Sequence, residues 1–304
     1  MFGKGTLAVW MDSNSLNLVF YKKNQERRLI YTGSIDEFLK SAVLEKYRGK
    51  IDNVVIIVPD DWVSRKFFPF HSPKKKYIKP FILRQLKKIT DQDDQLPHYH
   101  YYCLAERSEK EKGIYVYYLT KKECLLAMRR IDALGFEVSL ISSPGLLWGE
   151  RLKNLFKKRN IKNTALMIHG NKESLLFMYN EASFVFSRRF DLREYSREEE
   201  ALQSLVFEMN QSFIYFTQKY KSEVELVALI DSSSDSEFVA RLKESINKEI
   251  LVISEGPAKL STDETTQGDS IGRIQLWTYF AENDFLNAAN IPNLLPDEEL
   301  KTIC

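Results

Sequence analysis

The sequence predicts an α/β protein with a duplicated core and a small α+β insert, and three observations carry that expectation. Residues 7–21 (LAVWMDSNSLNLVFY) read as an apolar strand, a short polar turn and a second apolar strand, and residues 165–179 (ALMIHGNKESLLFMY) repeat that grammar about half a chain later. Each half then runs from strands into a helix and back to a strand. Finally, 304 residues with 44% apolar side chains are enough for two domains with cores of their own.

Taken in order, the first hairpin is followed by a capping box, Ser34 with Glu37, that opens a helix expected to close near Gly49. The β-rich run 54–58 returns the chain to the sheet. Residues 61–142 then read as an inserted subdomain: strand, helix (77–89), strand (98–103), strand (114–119), a helix from the Thr120/Glu123 box to Gly135, and strand (137–141). The first lobe therefore comprises 1–60 and 143–160, and its last part, from Arg151, is basic. In the second lobe, 161–289, a box at Ser196 and Glu199 opens the longest helix, with Leu202, Leu205, Val206, Met209, Phe213 and Phe216 at helical spacing. Strand 226–230 and a helix from Ser234/Glu237 follow, and the polar stretch 255–272 reads as a mobile loop. Residues 290–304 form an extended tail. Strands, helix and strand, twice over, is the order of an actin-like fold, a duplicated ribonuclease-H-like core with a mixed sheet in each lobe.

In folds of this kind the hairpin turns grip phosphate, an Asp handling metal-bound water and a Gly letting backbone amides approach. Here the first turn keeps Asp12 but has Asn14 where Gly would sit, and the second keeps Gly170 but has Ile168 where Asp would sit. The late strand is followed by Asp231 and three serines instead of a Gly-Gly turn. All three positions are degenerate, so no bound cofactor and no catalytic residue is expected. Only 12 glycines, about 4% against a typical ~7%, point the same way. A two-metal nuclease would need several convergent carboxylates, and only Asp12 is well placed. His98 and His100 lack further ligands at motif spacing, while His71 and His169 stand alone, so no metal site is expected. Three cysteines, Cys103, Cys124 and Cys304, without a CxxC suit a reducing compartment.

A net charge of +2 gives no global attraction to nucleic acid, and none is expected as a partner. Two local clusters are basic, Lys74, Lys75, Lys76, Arg84, Lys87 and Lys88 in the insert and Arg151, Lys153, Lys157, Lys158 and Arg159 at a helix end; a solvated face accounts for them, and an anionic membrane surface would also suit them. No run of about 18 apolar residues could span a bilayer.

Four stretches carry a resemblance to a known family: the opening LAVWMDSNSLNLVFY; the run from VVIIVPDDWVSRKFFPFHSPKKK to DQLPHYHYYCL; YVYYLTKKECLLAMRRIDALGFEVSLISSPGLL; and ALMIHGNKESLLFMYNEASFVFSRRF. Together they resemble the actin-like cytoplasmic proteins of type IV pilus and type II secretion machines, the pilus assembly protein M (PilM) family and the cytoplasmic domain of secretion protein L (GspL). The tail segment Pro292, Asn293, Leu294, Leu295, Pro296 is similar to the family's Asn-Leu-Leu-Pro docking motif, with Pro292 where the motif usually has Ile. The resemblance implies a non-catalytic scaffold at the cytoplasmic face of the inner membrane that couples the assembly ATPase to inner-membrane platform proteins and self-associates. It implies that Asn293, Leu294, Leu295 and Pro296 bind a partner or the chain's own groove between the first lobe and its insert. The alternative expectation is an actin-like ATPase or kinase holding Mg-ATP between the lobes, with Asp12 as the metal-linked carboxylate.

Overall fold

The computed structural model describes residues 5–11, 15–21, 27–70, 75–89, 100–108, 111–119, 129, 131–170, 173–181, 183–195, 197–231, 236–253, 260–261 and 293–294. The chain divides into two compact units, Met1–Pro144 with Leu286–Cys304, and Gly145–Phe285.

The first unit is built on a sheet in which β1 (Gly5–Met11), β2 (Leu16–Tyr21), β3 (Arg27–Gly33), β4 (Ile51–Ile57) and β8 (Val138–Ser142) lie in the order β3-β2-β1-β4-β8. The β1–β2 and β2–β3 pairs are antiparallel, whereas β4 runs parallel to β1 and β8 parallel to β4. Leu7, Val9, Met11, Leu16 and Leu18 are wholly buried, which is why both strands of this hairpin read as apolar runs.

Between β4 and β8 the chain makes a three-stranded antiparallel sheet, ordered β5-β7-β6, from β5 (Val63–Pro69), β6 (His100–Ser108) and β7 (Glu111–Leu119). Helix α2 (Ile78–Ile89) presents Ile78, Ile82 and Leu86 at i, i+4, i+8 to Phe68, Ile114, Val116 and Tyr118 of that sheet. This is the inserted α+β unit, with one change at its end. The strand read from residues 137–141 belongs to the first sheet, where Val55 faces Leu140 and Ile56 faces Ile141.

Helix α1 (Ile35–Lys40) begins with the expected capping box, Ser34 accepting from the Glu37 N–H and the Glu37 carboxylate accepting from the Ser34 N–H. It is shorter than expected. Ser41 ends it in an extended conformation, a 3-10 helix occupies Val43–Tyr47, and Gly49 takes a left-handed φ of +75°.

The second unit repeats the wiring of the first. Strands β9 (Asn163–His169), β10 (Glu173–Asn180), β11 (Ser183–Asp191), β12 (Leu226–Asp231) and β13 (Glu249–Val252) are ordered β11-β10-β9-β12-β13, again two antiparallel pairs followed by two parallel ones. This is the duplicated actin-like architecture. Helix α3 (Pro144–Arg159) lies, from Gly145 on, in this unit, although its residues read as the end of the first lobe. The contact that holds it explains why. Tyr179 donates its hydroxyl to the Gly145 carbonyl at 3.1 Å, and a Cβ on Gly145 would sit 2.3 Å from the Phe184 ring, so only glycine lets the helix approach this closely.

Helices α4 (Glu198–Tyr220) and α5 (Ser236–Ser245) close one face of the second sheet. Leu202, Leu205, Met209, Phe213 and Phe216 pack with Met167, Leu176, Met178, Val227, Phe238 and Leu242 in a single core. The first turn of α4 departs from expectation, because Arg197 occupies the cap position without a side-chain cap and the acidic residues Glu198, Glu199 and Glu200 complement the helix dipole instead.

Candidate docking site

Among the described residues, the tail is represented by Asn293 and Leu294, and both lie along the edge of β8 within the first unit. The Ile141 N–H donates to Asn293 Oδ1 at 3.1 Å, and Asn293 Nδ2 donates to the Ser139 carbonyl at 3.1 Å. The Leu294 N–H donates to the Ile141 carbonyl at 2.8 Å. In a parallel ladder a strand residue accepts from the residue after its partner and donates to the residue before it. The carboxamide of Asn293 does both with respect to Leu140, so a side chain stands in for the peptide group of a further strand beside β8.

Leu294 supplies the apolar half of the contact and is 0% exposed. Magnitudes show what such a latch is worth. Three hydrogen bonds contribute about 3 kcal/mol and the leucine about 2 kcal/mol. Fixing two backbone residues and the leucine rotamer opposes this by about 3 kcal/mol. The balance of about 2 kcal/mol holds the segment down while leaving it releasable. Leu295 and Pro296, the rest of the sequence-assigned motif, lie outside the described residues.

Of the phosphate-turn positions, Asp12 and Asn14 lie outside the described residues. Ile168 is an interior residue of β9, 3% exposed and paired in register with Leu175 and Ile230. Gly170 follows β9 and donates its N–H to the Glu173 carbonyl at 3.0 Å, closing the turn on itself. Asp231 ends β12 in register with His169. The structure therefore brings Ile168, Gly170 and Asp231 to one end of the second sheet.

It adds a group that the sequence reading left isolated. His169 is buried, its Nδ1 lies 2.8 Å from Ser174 Oγ, and its ring stacks flat on Phe238 with centroids 3.6 Å apart. An imidazole and a phenyl ring are thus stacked at the end of β9 that leads to Gly170. The signal was hairpin register, since His169 and Ser174 face each other across β9 and β10. Of the other histidines, His71 and His98 lie outside the described residues. No group of three or more His, Cys, Asp or Glu suited to a metal ion occurs among the described residues. Nor, among them, is any helix long and apolar enough to cross a membrane.

No family model and no curated protein matches the chain. Among solved structures it is similar to the PilM–PilN type IV pilus biogenesis complex, with 11% identity and a TM-score of 0.54 over 91% of this chain and 96% of that one. It is also similar to the cytoplasmic domain of EpsL, an inner-membrane component of the type II secretion system of Vibrio cholerae, at 11% identity and a TM-score of 0.48 over 96% and 98% of the two chains. A Bacteroides thetaiotaomicron protein with an actin-like ATPase fold and unknown function is aligned at 11% identity and a TM-score of 0.42 over 82% and 91%. At these identities the likeness is one of fold.

Proposed function

We propose that this chain is a non-catalytic scaffold of a type IV pilus or type II secretion platform, lying at the cytoplasmic face of the inner membrane and coupling an assembly ATPase to membrane components. The observation that carries this reading is the Asn293–Leu294 latch on β8, a peptide-recognition edge already formed and occupied by a segment worth only about 2 kcal/mol. A segment of the same chemistry from another chain can take the same place, and tethering keeps the chain's own copy at an effective concentration of roughly millimolar. Similarity in fold over nearly the full length to the PilM–PilN complex supports the choice of machine.

The second phosphate turn supports the absence of catalysis. A buried isoleucine stands where a carboxylate would be needed, the Gly170 amide is already bonded, and the neighbouring His169 is buried in a stack with Phe238. Titration calorimetry with Mg-ATP tests this half of the proposal. The expected result is no saturable binding; micromolar affinity abolished by Asp12→Ala would return the chain to the ATPase reading. For the docking half, a variant lacking residues 293–304 should bind a synthetic peptide of residues 290–304, while the intact chain resists it. Equal binding by both proteins, or by neither, would remove the latch from the account.

A further inference from the structure

Helix α4 carries an apolar stripe on the side away from its core. With Leu205, Met209 and Phe216 facing inward, helical periodicity puts Glu200, Phe207 and Ile214, each seven residues from the next, along the opposite line, and Lys221, a further seven on, follows as the left-handed cap. Phe207 is 59% exposed and Ile214 49%. Beside them Tyr215, 42% exposed, is held edge-on against Phe186 with centroids 5.3 Å apart, and its hydroxyl accepts from Lys219 Nζ at 2.9 Å. A lone exposed phenylalanine calls for no explanation, but large apolar groups stacked on one heptad line form the seam of a helix pair.

The charges at the two ends of this line decide the partner. The first turn holds Glu198, Glu199 and Glu200, while Lys219 lies in the last turn and Lys221 at the cap. Glu199 is engaged by Arg241 and Gln203, and Glu200 is 3.8 Å from Arg197 in an ion pair whose two side chains are both more than half exposed. A parallel second helix of the same sequence would set glutamates against glutamates and lysines against lysines. An antiparallel one sets acid against base at both ends and opposes the helix dipoles.

We propose that a second copy of this chain covers the stripe, the two α4 helices packing antiparallel about a twofold axis between Asn210 and Gln211. Phe207 and Ile214 are equidistant from that axis, as are Glu200 and Lys221. Each Phe207 therefore meets the second copy's Ile214, and each Glu200 its Lys221, twice over. The pairing is independent of the latch on β8 and of the machine the chain serves.

Sedimentation velocity of the full chain over a concentration series tests it. A single-helix seam predicts a dimer with a Kd of about 10–100 µM. Ile214→Lys should weaken association by about 100-fold, and Phe207→Ser by about tenfold, with unchanged circular dichroism and thermal midpoint because both positions face solvent in the monomer. Glu200→Lys or Lys221→Glu alone should each weaken it by about tenfold, and the two together should restore it to within about twofold. A chain that stays monomeric at about 500 µM overturns the proposal and leaves the stripe to a different protein. So does a dimer indifferent to Ile214→Lys and Phe207→Ser, or a double charge swap weaker than either single change.

Discussion

The two sheets share their strand order and orientation, yet their last strands are treated in opposite ways. In the first, β8 has four of its five residues buried, and its outer edge bonds to Asn293 and Leu294. In the second, β13 occupies the corresponding place with the exposed residues Glu249 and Val252 at its ends, and Glu249 forms an ion pair with Arg159 at 2.9 Å. A charged, short terminal strand needs nothing beside it, whereas an apolar one invites a cover. Duplication supplied two equivalent edges, and among the described residues it is the apolar one that receives a segment.

The sharpest way to break this contrast is to remove the buried leucine. Leu294→Asp should detach the segment, raise hydrogen exchange at the Ile141 amide by at least about tenfold and lower stability by about 2–3 kcal/mol in denaturant titration. An unchanged Ile141 exchange rate would mean that the edge is covered without it. Asn293→Ala should cost about 1–2 kcal/mol, because it removes the partners of the Ile141 N–H and the Ser139 carbonyl together. Asn293→Asp keeps an acceptor for the Ile141 N–H but sets a charged carboxylate oxygen against the Ser139 carbonyl, so it should cost at least as much as Asn293→Ala. On the other sheet Val252→Ala should cost no more than about 0.5 kcal/mol, since that side chain is already 36% exposed. A loss as large as that of Leu294→Asp would show that β13, too, depends on a cover.

The smallest effect concerns the opposite end of the second sheet, where β11 finishes at Asp191. Hydrogen bonds from the Arg193 side chain and then its backbone N–H hold this carboxyl down to about 2. Because the folded value lies below the ordinary one, whatever the clip contributes is present above about pH 4 and is lost as pH falls through about 2. Carbon-detected NMR titration should place the midpoint there, and Arg193→Ala, which removes the guanidinium but keeps the backbone N–H, should raise it part of the way toward the usual carboxylate range.

The duplication was legible in the sequence because strands buried on both faces leave continuous apolar runs, as in residues 7–21 and 165–179. The box at Ser34 and Glu37 formed for the same local reason that made it readable. What escaped depends on tertiary pairing. β8 joins the first sheet, and α3 joins the second unit, through partners that no residue in either segment announces. The site divides in the same way. Asn293 and Leu294 were singled out by the resemblance of their segment to a family motif, and nothing in the sequence pointed to the surface they lie on. It consists of the Ser139 carbonyl and the Ile141 peptide groups, which every residue possesses. His169 and Ser174 were missed because their meeting depends on hairpin register.

A carboxamide in the position of a peptide group also ends what it joins. A full further strand would turn a fresh row of donors and acceptors outward and pass the invitation to the next chain, whereas the side chain of Asn293 satisfies the Ser139 carbonyl and the Ile141 N–H without itself presenting such a row. In a crowded cell, molecules that have lost this one residue would therefore be the ones that stick to each other, long before they were the ones that unfold.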